Sequence, residues 1–340
     1  MTPLILLTGF LGSGKTTLLA GLLRRPAFAR TAVIINEFGA VGLDHELLEA
    51  GDDNIIELTN GCLCCRVQTD LAKTLAQLDR RRALGEVAFE RVIIETSGLA
   101  DPVPIVHALT SDLSIGGTFE LEHVVTVVDG LCAVQTAEQY PEARHQIALA
   151  DVLVLSKQDL ASPEDHAHTS KYLDRLNQTA LRVDGRELEQ ALLQAVSVVP
   201  VTAAGTYQRL GLKVSDHTGH THGSSTPRTA EQVYTTLELI RDKPLAANVI
   251  PLFLEALATH EGARLLRLKG LVQIAEMPGQ PLVLHGVQHV FYQPAWLERW
   301  PSQDHRTRIV LIGHGLSQLW VQRLLEALEA EVATLTVRVD

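Results

Sequence analysis

Through residues 1–204 the apolar positions come in short unbroken runs, separated by longer stretches with helical spacing. The runs at 4–7, 32–35, 54–58, 91–95, 124–128, 152–155 and 196–201 are rich in Val, Ile and Leu and predict strands. Runs that are apolar at every position, rather than at alternate ones, belong to strands covered on both faces. Between them, residues 17–25 place Leu18, Leu19, Leu22 and Leu23 on one helical face, with Pro26 as the stop. Residues 66–79 do the same with Val67, Leu71, Leu75 and Leu78. Asp101 before Pro102, and Ser162 before Pro163, read as helix starts, because a cap side chain accepts from free amides and proline needs no donor there. The alternation predicts an α/β fold: an open, mostly parallel sheet with helices on both faces. Ligands of such sheets bind outside the carboxyl ends of the strands.

The pattern lapses over residues 205–230, which are polar and poor in large apolar side chains, and reads there as a flexible linker. It returns over 231–340 as a smaller α+β domain. Strands are expected near 233–239, 265–274, 282–290 and 308–312, and helices near 250–259 and 317–328. Glu276-Met277-Pro278-Gly279-Gln280 predicts the turn of a hairpin. A length of 340 residues suits this division into a first domain at 1–204, a linker and a second domain.

Composition narrows the function. The formal charge of −11 argues against a general nucleic-acid binder or a binder of anionic membranes, both of which favour a basic surface. No apolar run approaches the roughly 20 residues of a membrane span. The first apolar run follows no basic stretch and is used by the first strand, so a cytoplasmic location is expected.

Gly9-Phe10-Leu11-Gly12-Ser13-Gly14-Lys15-Thr16 fits the phosphate-binding loop pattern, and it lies between the first strand and the first helix as that chemistry requires. Its glycines free the backbone to wrap an anion, with Ser13 and Thr17 beside them. Lys15 reaches outer phosphates and the Thr16 hydroxyl suits Mg²⁺. Ser156-Lys157-Gln158-Asp159 follows the strand at 152–155 and resembles the guanine-reading loop of P-loop GTPases. The Asp159 carboxylate can accept the two donors that guanine offers and adenine lacks, and the Lys157 stem can lie over the base. Ser156 stands where Asn is usual. Glu37 and Glu95 close the second and fourth runs, where a Mg²⁺ or metal-relay carboxylate belongs, and Gly98 follows Glu95 as a γ-phosphate sensor. A loop held by that phosphate and freed on hydrolysis is a switch.

Four cysteines occur, three of them within four residues: Cys62, Cys64 and Cys65. In a reducing compartment this cluster reads as a thiolate site for Zn²⁺ or a similar transition metal, with redox switching or space-filling as alternatives. Cys132 stands alone and reads as a core residue. His217, His220 and His222 in the linker have the spacing for weak metal capture, or are simply polar linker residues.

These motifs occur together. Residues 8–17, Asn36-Glu37-Phe38-Gly39, Asn60-Gly61-Cys62-Leu63-Cys64-Cys65, Glu95-Thr96-Ser97-Gly98 with Asp101-Pro102, and Ser156 to Asp159 resemble, in this order, the CobW-like family of metal-handling P-loop GTPases. Arg267-Leu268-Lys269-Gly270 is similar to an element of that family's second domain. The resemblance implies that the chain binds GTP with Mg²⁺ and hydrolyses it slowly. It implies that Cys62, Cys64 and Cys65 hold Zn²⁺ or Co²⁺, and that the metal is delivered to a client metalloprotein or metal chelatase. Lys15, Thr16, Glu95 and Gly98 would serve hydrolysis. A monomer or homodimer is compatible with the sequence. The alternatives are a zinc-buffering protein with a vestigial GTPase, and a P-loop small-molecule kinase.

Overall fold

Strand β1 (Thr2–Gly9) is the centre of the first sheet, flanked by parallel partners on both sides. The computed structural model describes residues 1–36, 55–57, 67–111, 115, 117–177, 179–195, 234–292, 294–300 and 303–337. The chain forms two compact units, Met1–Val199 and Pro200–Asp340.

In the first unit, β1 is joined by β2 (Thr31–Asn36), β3 (Ile55–Glu57), β4 (Arg91–Thr96), β5 (Phe119–Asp129), β6 (Val152–Ser156) and β7 (Leu181–Asp184). Their order across the sheet is β3-β2-β4-β1-β5-β6-β7, and each pairing is parallel. The helices are α1 (Lys15–Leu23), α2 (Val67–Ala83), α3 (Pro102–Ser111), α4 (Ala133–Gln139), α5 (Pro141–Leu149), α6 (Pro163–Leu176) and α7 (Leu188–Ala195). Alternate residues of each strand face opposite sides, so the unbroken apolar runs feed two cores. On one side Ile5, Leu7, Ile93, Val125 and Val127 pack with Leu19 and Leu22 of α1 and with Leu188 and Leu192 of α7. On the other, Leu4, Leu6 and Ile94 are fully buried, and α5 lies against β1 and β5. Each such leucine or isoleucine contributes about 1.5–3 kcal/mol by leaving water.

The sheet reverses its direction of winding at β1. The chain leaves β1 through α1 towards β2 on one side, and later crosses from β4 to β5 on the other. A crevice at the carboxyl ends of β1, β4 and β5 follows from that order.

The second unit holds β8 (Tyr234–Arg241), β9 (Leu265–Val272), β10 (Leu282–Val287), β11 (Val290–Phe291), β12 (Ala295–Trp296) and β13 (Thr307–His314). They form one antiparallel sheet in the order β11-β10-β9-β13-β8, with β12 also on β10. Helices α8 (Val249–Glu261) and α9 (Gln318–Val337) bring Phe253, Leu257, Val321 and Leu325 into a core with Leu268, Leu284, Ile309 and Leu311. The hairpin expected at 276–280 joins β9 to β10. The single strand expected at 282–290 is instead two, broken at Gln288, whose backbone is left-handed at φ 54°. No helix among the described residues is long and apolar enough to cross a membrane.

The expected helix starts are present. Asp101 Oδ1 accepts from the Val103 amide at 3.0 Å. Ser162 and Asp165 exchange hydrogen bonds as a capping box at the head of α6. The expectation for Cys132 is corrected: it is exposed, because the Asp129 carboxylate gathers the Leu131 and Cys132 amides into a surface turn before α4. The strand expected at 196–201 and the linker at 205–230 lie outside the described residues.

One buried polar side chain closes the first unit. Asn177, fully buried, donates to the carbonyls of Ile147, Ala148 and Ala150 and accepts from the Thr179 and Ala180 amides. Asn177→Ala strands several of these groups without water, so a stability loss of about 3 kcal/mol is expected in urea unfolding.

Candidate functional site

The site is built from the residue after each strand of the crevice. β1 ends in Gly9, whose backbone has φ 143°. A Cβ there would meet the Val127 carbonyl oxygen at 2.4 Å, so only glycine lets the loop leave β1 against β5. Gly12 and Gly14 are left-handed, at φ 71° and 95°, and curl the loop back into α1. Gly14 caps α1, and the first turn carries no acidic residue to offset the positive end of the helix. Ser13 is buried, and its Oγ has no hydrogen-bond partner among the described residues. Lys15 is also buried, with Nζ 3.4 Å from the Phe10 carbonyl, folded over the loop. A glycine-shaped cradle, an uncompensated helix start, an orphan hydroxyl and an ammonium at its rim fit a polyphosphate.

The register between β1 and β4 sets Leu7 beside Glu95. Glu95 is 5% exposed, and its Oε1 accepts from the Thr16 hydroxyl at 2.8 Å. One row further, the Thr96 hydroxyl donates to that of Thr8 at 2.8 Å. Thr16 and Glu95 thus share one point at the head of α1. A neutral hydroxyl and a carboxylate, both oxygen donors, are the ligands a hard cation such as Mg²⁺ takes.

The chain after β4 turns tightly. The Ala100 amide donates to the Ser97 carbonyl at 3.0 Å. Gly98 lies against the phosphate loop so closely that a Cβ would be 2.6 Å from the Leu11 nitrogen. Gln146 of α5 donates through Nε2 to the carbonyls of Gly98 (3.1 Å) and Ala100 (3.0 Å).

The loop after β6 joins the same site. The Ser156 hydroxyl donates to the Ser13 carbonyl at 2.7 Å, tying the two loops together. Lys157 is left-handed at φ 52°, and its Nζ pairs with Asp129 Oδ2 at 2.7 Å. Asp129 ends β5, and the Gly130 amide donates to the Ser156 carbonyl at 2.9 Å. Asp159 is exposed on the turn Gln158–Leu160.

The predicted residues Gly9, Gly12, Ser13, Gly14, Lys15, Thr16, Thr17, Glu95, Gly98, Ser156, Lys157 and Asp159 therefore lie on strand ends, the loops after them and the first turn of α1, at one end of one sheet. Glu37, Cys62, Cys64, Cys65, His217, His220 and His222 lie outside the described residues. Among the described residues no group of three or more His, Cys, Asp and Glu side chains is placed to hold a metal ion. Sequence reasoning missed Asp129 and Gln146. Asp-Gly at a strand end was a visible signal for the first, but a glutamine within Pro141–Leu149 carries none. Burial pushes the carboxyls of Glu120 and Glu122 up, at the opposite end of β5 from this site.

Residues 3–183 match the model of the CobW/HypB/UreG nucleotide-binding domain, and residues 234–329 that of the cobalamin synthesis protein cobW C-terminal domain. The zinc chaperone YjiA of Escherichia coli is 30% identical, over 92% of this chain and 94% of that protein. The zinc chaperone CobW of a Sinorhizobium species is 30% identical, over 96% of this chain and 97% of its own length. The crystal structure of Zn(II)-bound YjiA GTPase superposes with a TM-score of 0.66 at 24% identity, covering 96% of this chain and 98% of that one, and so shares the fold.

Gly98→Ala forces a methyl against the Leu11 backbone, which cannot yield as a side chain would. A loss of about 1–3 kcal/mol is expected in chemical denaturation, while Gly279→Ala, with open space around it, stays near wild type.

Proposed function

The chain belongs to the CobW/HypB/UreG family, and from that premise we propose that it is a GTP-dependent metallochaperone, which loads Zn²⁺ and passes it to a client metalloprotein. The observation that carries the reading is the meeting of three loops at one crevice: the phosphate cradle, the Thr16–Glu95 pair and the Ser156–Asp159 turn.

Each part has a task. The amides and glycines of residues 9–16 bind the phosphates, with Lys15 neutralising the outer ones. Thr16 and Glu95 would hold Mg²⁺, which supplies charge neutralisation for the transferred phosphoryl group. Their direct hydrogen bond keeps both oxygens in place. Asp159 reads the base through its exposed carboxylate. The Ser156 hydroxyl ties this turn to the phosphate loop by its bond to the Ser13 carbonyl, so a short side chain at this position is compatible with guanine selection. Hydrolysis on this scheme is electrostatic and positional, and slow without a partner.

Zinc is the cargo. Cys62, Cys64 and Cys65 are the proposed thiolates, with Glu37 as a relay carboxylate and His217, His220 and His222 as a capture segment. In the sequence Glu37 follows β2, which pairs with the strand of Glu95, and Cys62, Cys64 and Cys65 fall between β3 and α2; on this reading these segments answer to both nucleotide and metal. For the coupling to be real, zinc must bind the GTP and GDP states with different affinity. The second unit is proposed to choose the client, and the cytoplasm is the proposed compartment.

The test is a zinc titration of GTP-analogue-loaded and GDP-loaded protein. A difference of about fivefold or more between the two states is expected, in the usual range of coupling between sites. Cys64→Ser should abolish tight binding in both, and Lys15→Ala should erase the difference without removing the zinc. Equal affinities in the two states would overturn the switch.

A further inference from the structure

We propose that Gln146 is a positioning residue for the Gly98 turn and makes helix α5 the element that senses the terminal phosphate. This rests on the GTPase reading above and adds the part of the chain that carries the signal.

The turn itself is short. The Ser97 carbonyl is consumed by the Ala100 amide. In a trans peptide the N–H points opposite to its own carbonyl partner, so the Gly98 N–H points out of the turn. Gly98 sits directly against Leu11 of the phosphate loop. That leaves the carbonyls of Gly98 and Ala100 to be satisfied, and both go to one donor, Gln146 Nε2. Gln146 is 1% exposed, and its own carbonyl accepts from the Thr126 hydroxyl of β5 at 2.6 Å. The residue is therefore fixed at both its backbone and its side-chain end.

Two neighbours act on the same connection. His145 Nδ1 lies 2.9 Å from Asp101 Oδ2, at the start of α3. Tyr140, immediately before α5, packs its ring on Phe10 of the phosphate loop, with centroids 4.7 Å apart. Residues 140–146 thus touch both the loop that would hold the nucleotide's inner phosphates and the turn that would meet its outermost one. A turn so held is preorganised, and a group that pulls on Gly98 pulls on α5.

This predicts a split between two nucleotides. GDP uses the phosphate loop and the base loop, whereas a GTP analogue also uses the Gly98 turn. Gln146→Glu keeps the shape and sets a carboxylate oxygen against two carbonyls. Gln146→Met keeps the length and removes the donor. The experiment measures the affinities of GDP and of a non-hydrolysable GTP analogue, both with Mg²⁺, for wild type and the two variants, together with the GTP turnover rate. In both variants GDP should bind within about twofold of wild type. The GTP analogue should weaken about tenfold, the scale of two neutral hydrogen bonds, and kcat should fall alongside. Parallel weakening of GDP and analogue would reduce Gln146 to a packing residue, and no change in either would remove it from the mechanism. A wild type that binds no guanine nucleotide would instead overturn the GTPase reading, and this inference with it. A second measurement needs no variant. In wild-type hydrogen exchange, amides of residues 97–100 and 141–149 should gain protection together when the GTP analogue replaces GDP. Protection of the first segment alone overturns the proposal.

Discussion

Parallel pairing of β1 between β4 and β5 is the constraint from which the site follows. Once Leu7 is beside Glu95, and Gly9 beside Val127, the head of α1 must start within reach of a buried carboxylate. The hydrogen bonds of the sheet fix that register to one residue, because a slip of one would turn every core side chain to the opposite face. The apolar residues that fill the two cores therefore also hold Thr16 on Glu95. A substitution deep in β4, far from any ligand, would act on the site through this register.

Much of the first unit was legible in the sequence because its strands are buried on both faces and its loops carry strong local chemistry. The glycines at 9, 12 and 14 name their backbone conformations in advance, since no other residue adopts them cheaply. Strand β7 was not legible: of Leu181–Asp184 only Val183 is buried, so no apolar run announces it. Helices α4 and α5 were hidden for a similar reason, as short segments of Ala and polar residues with no clear apolar period. Cys132 was misread because an isolated cysteine is usually buried, while here a neighbouring aspartate organises a surface turn.

The polar contacts between loops were the least legible part of the site. Ser156 looked like a departure from the usual Asn, yet its hydroxyl finds the Ser13 carbonyl and also lies 3.2 Å from that of Val128. The Lys157 stem reads as a cover for a base, and the structure adds a partner for its ammonium, Asp129, that no spacing announced. Sequence spacing says which groups stand at strand ends, whereas their pairing depends on angles that only the folded sheet defines. Gln146 is the extreme case, a buried amide whose partners are main-chain carbonyls and leave no trace in side-chain pattern.

Asn177 holds the carboxyl end of α5 by three carbonyls, and Tyr140 rests on Phe10 at the other end. A helix fastened in this way cannot follow a single side-chain flip. It moves as a body or not at all. Such collective motions run on a scale of roughly microseconds to milliseconds, against picoseconds to nanoseconds for an exposed rotamer. The fastening of α5 therefore sets a clock: a turn carried by this helix responds to a lasting change of occupancy and averages over the passing fluctuations of the loops around it.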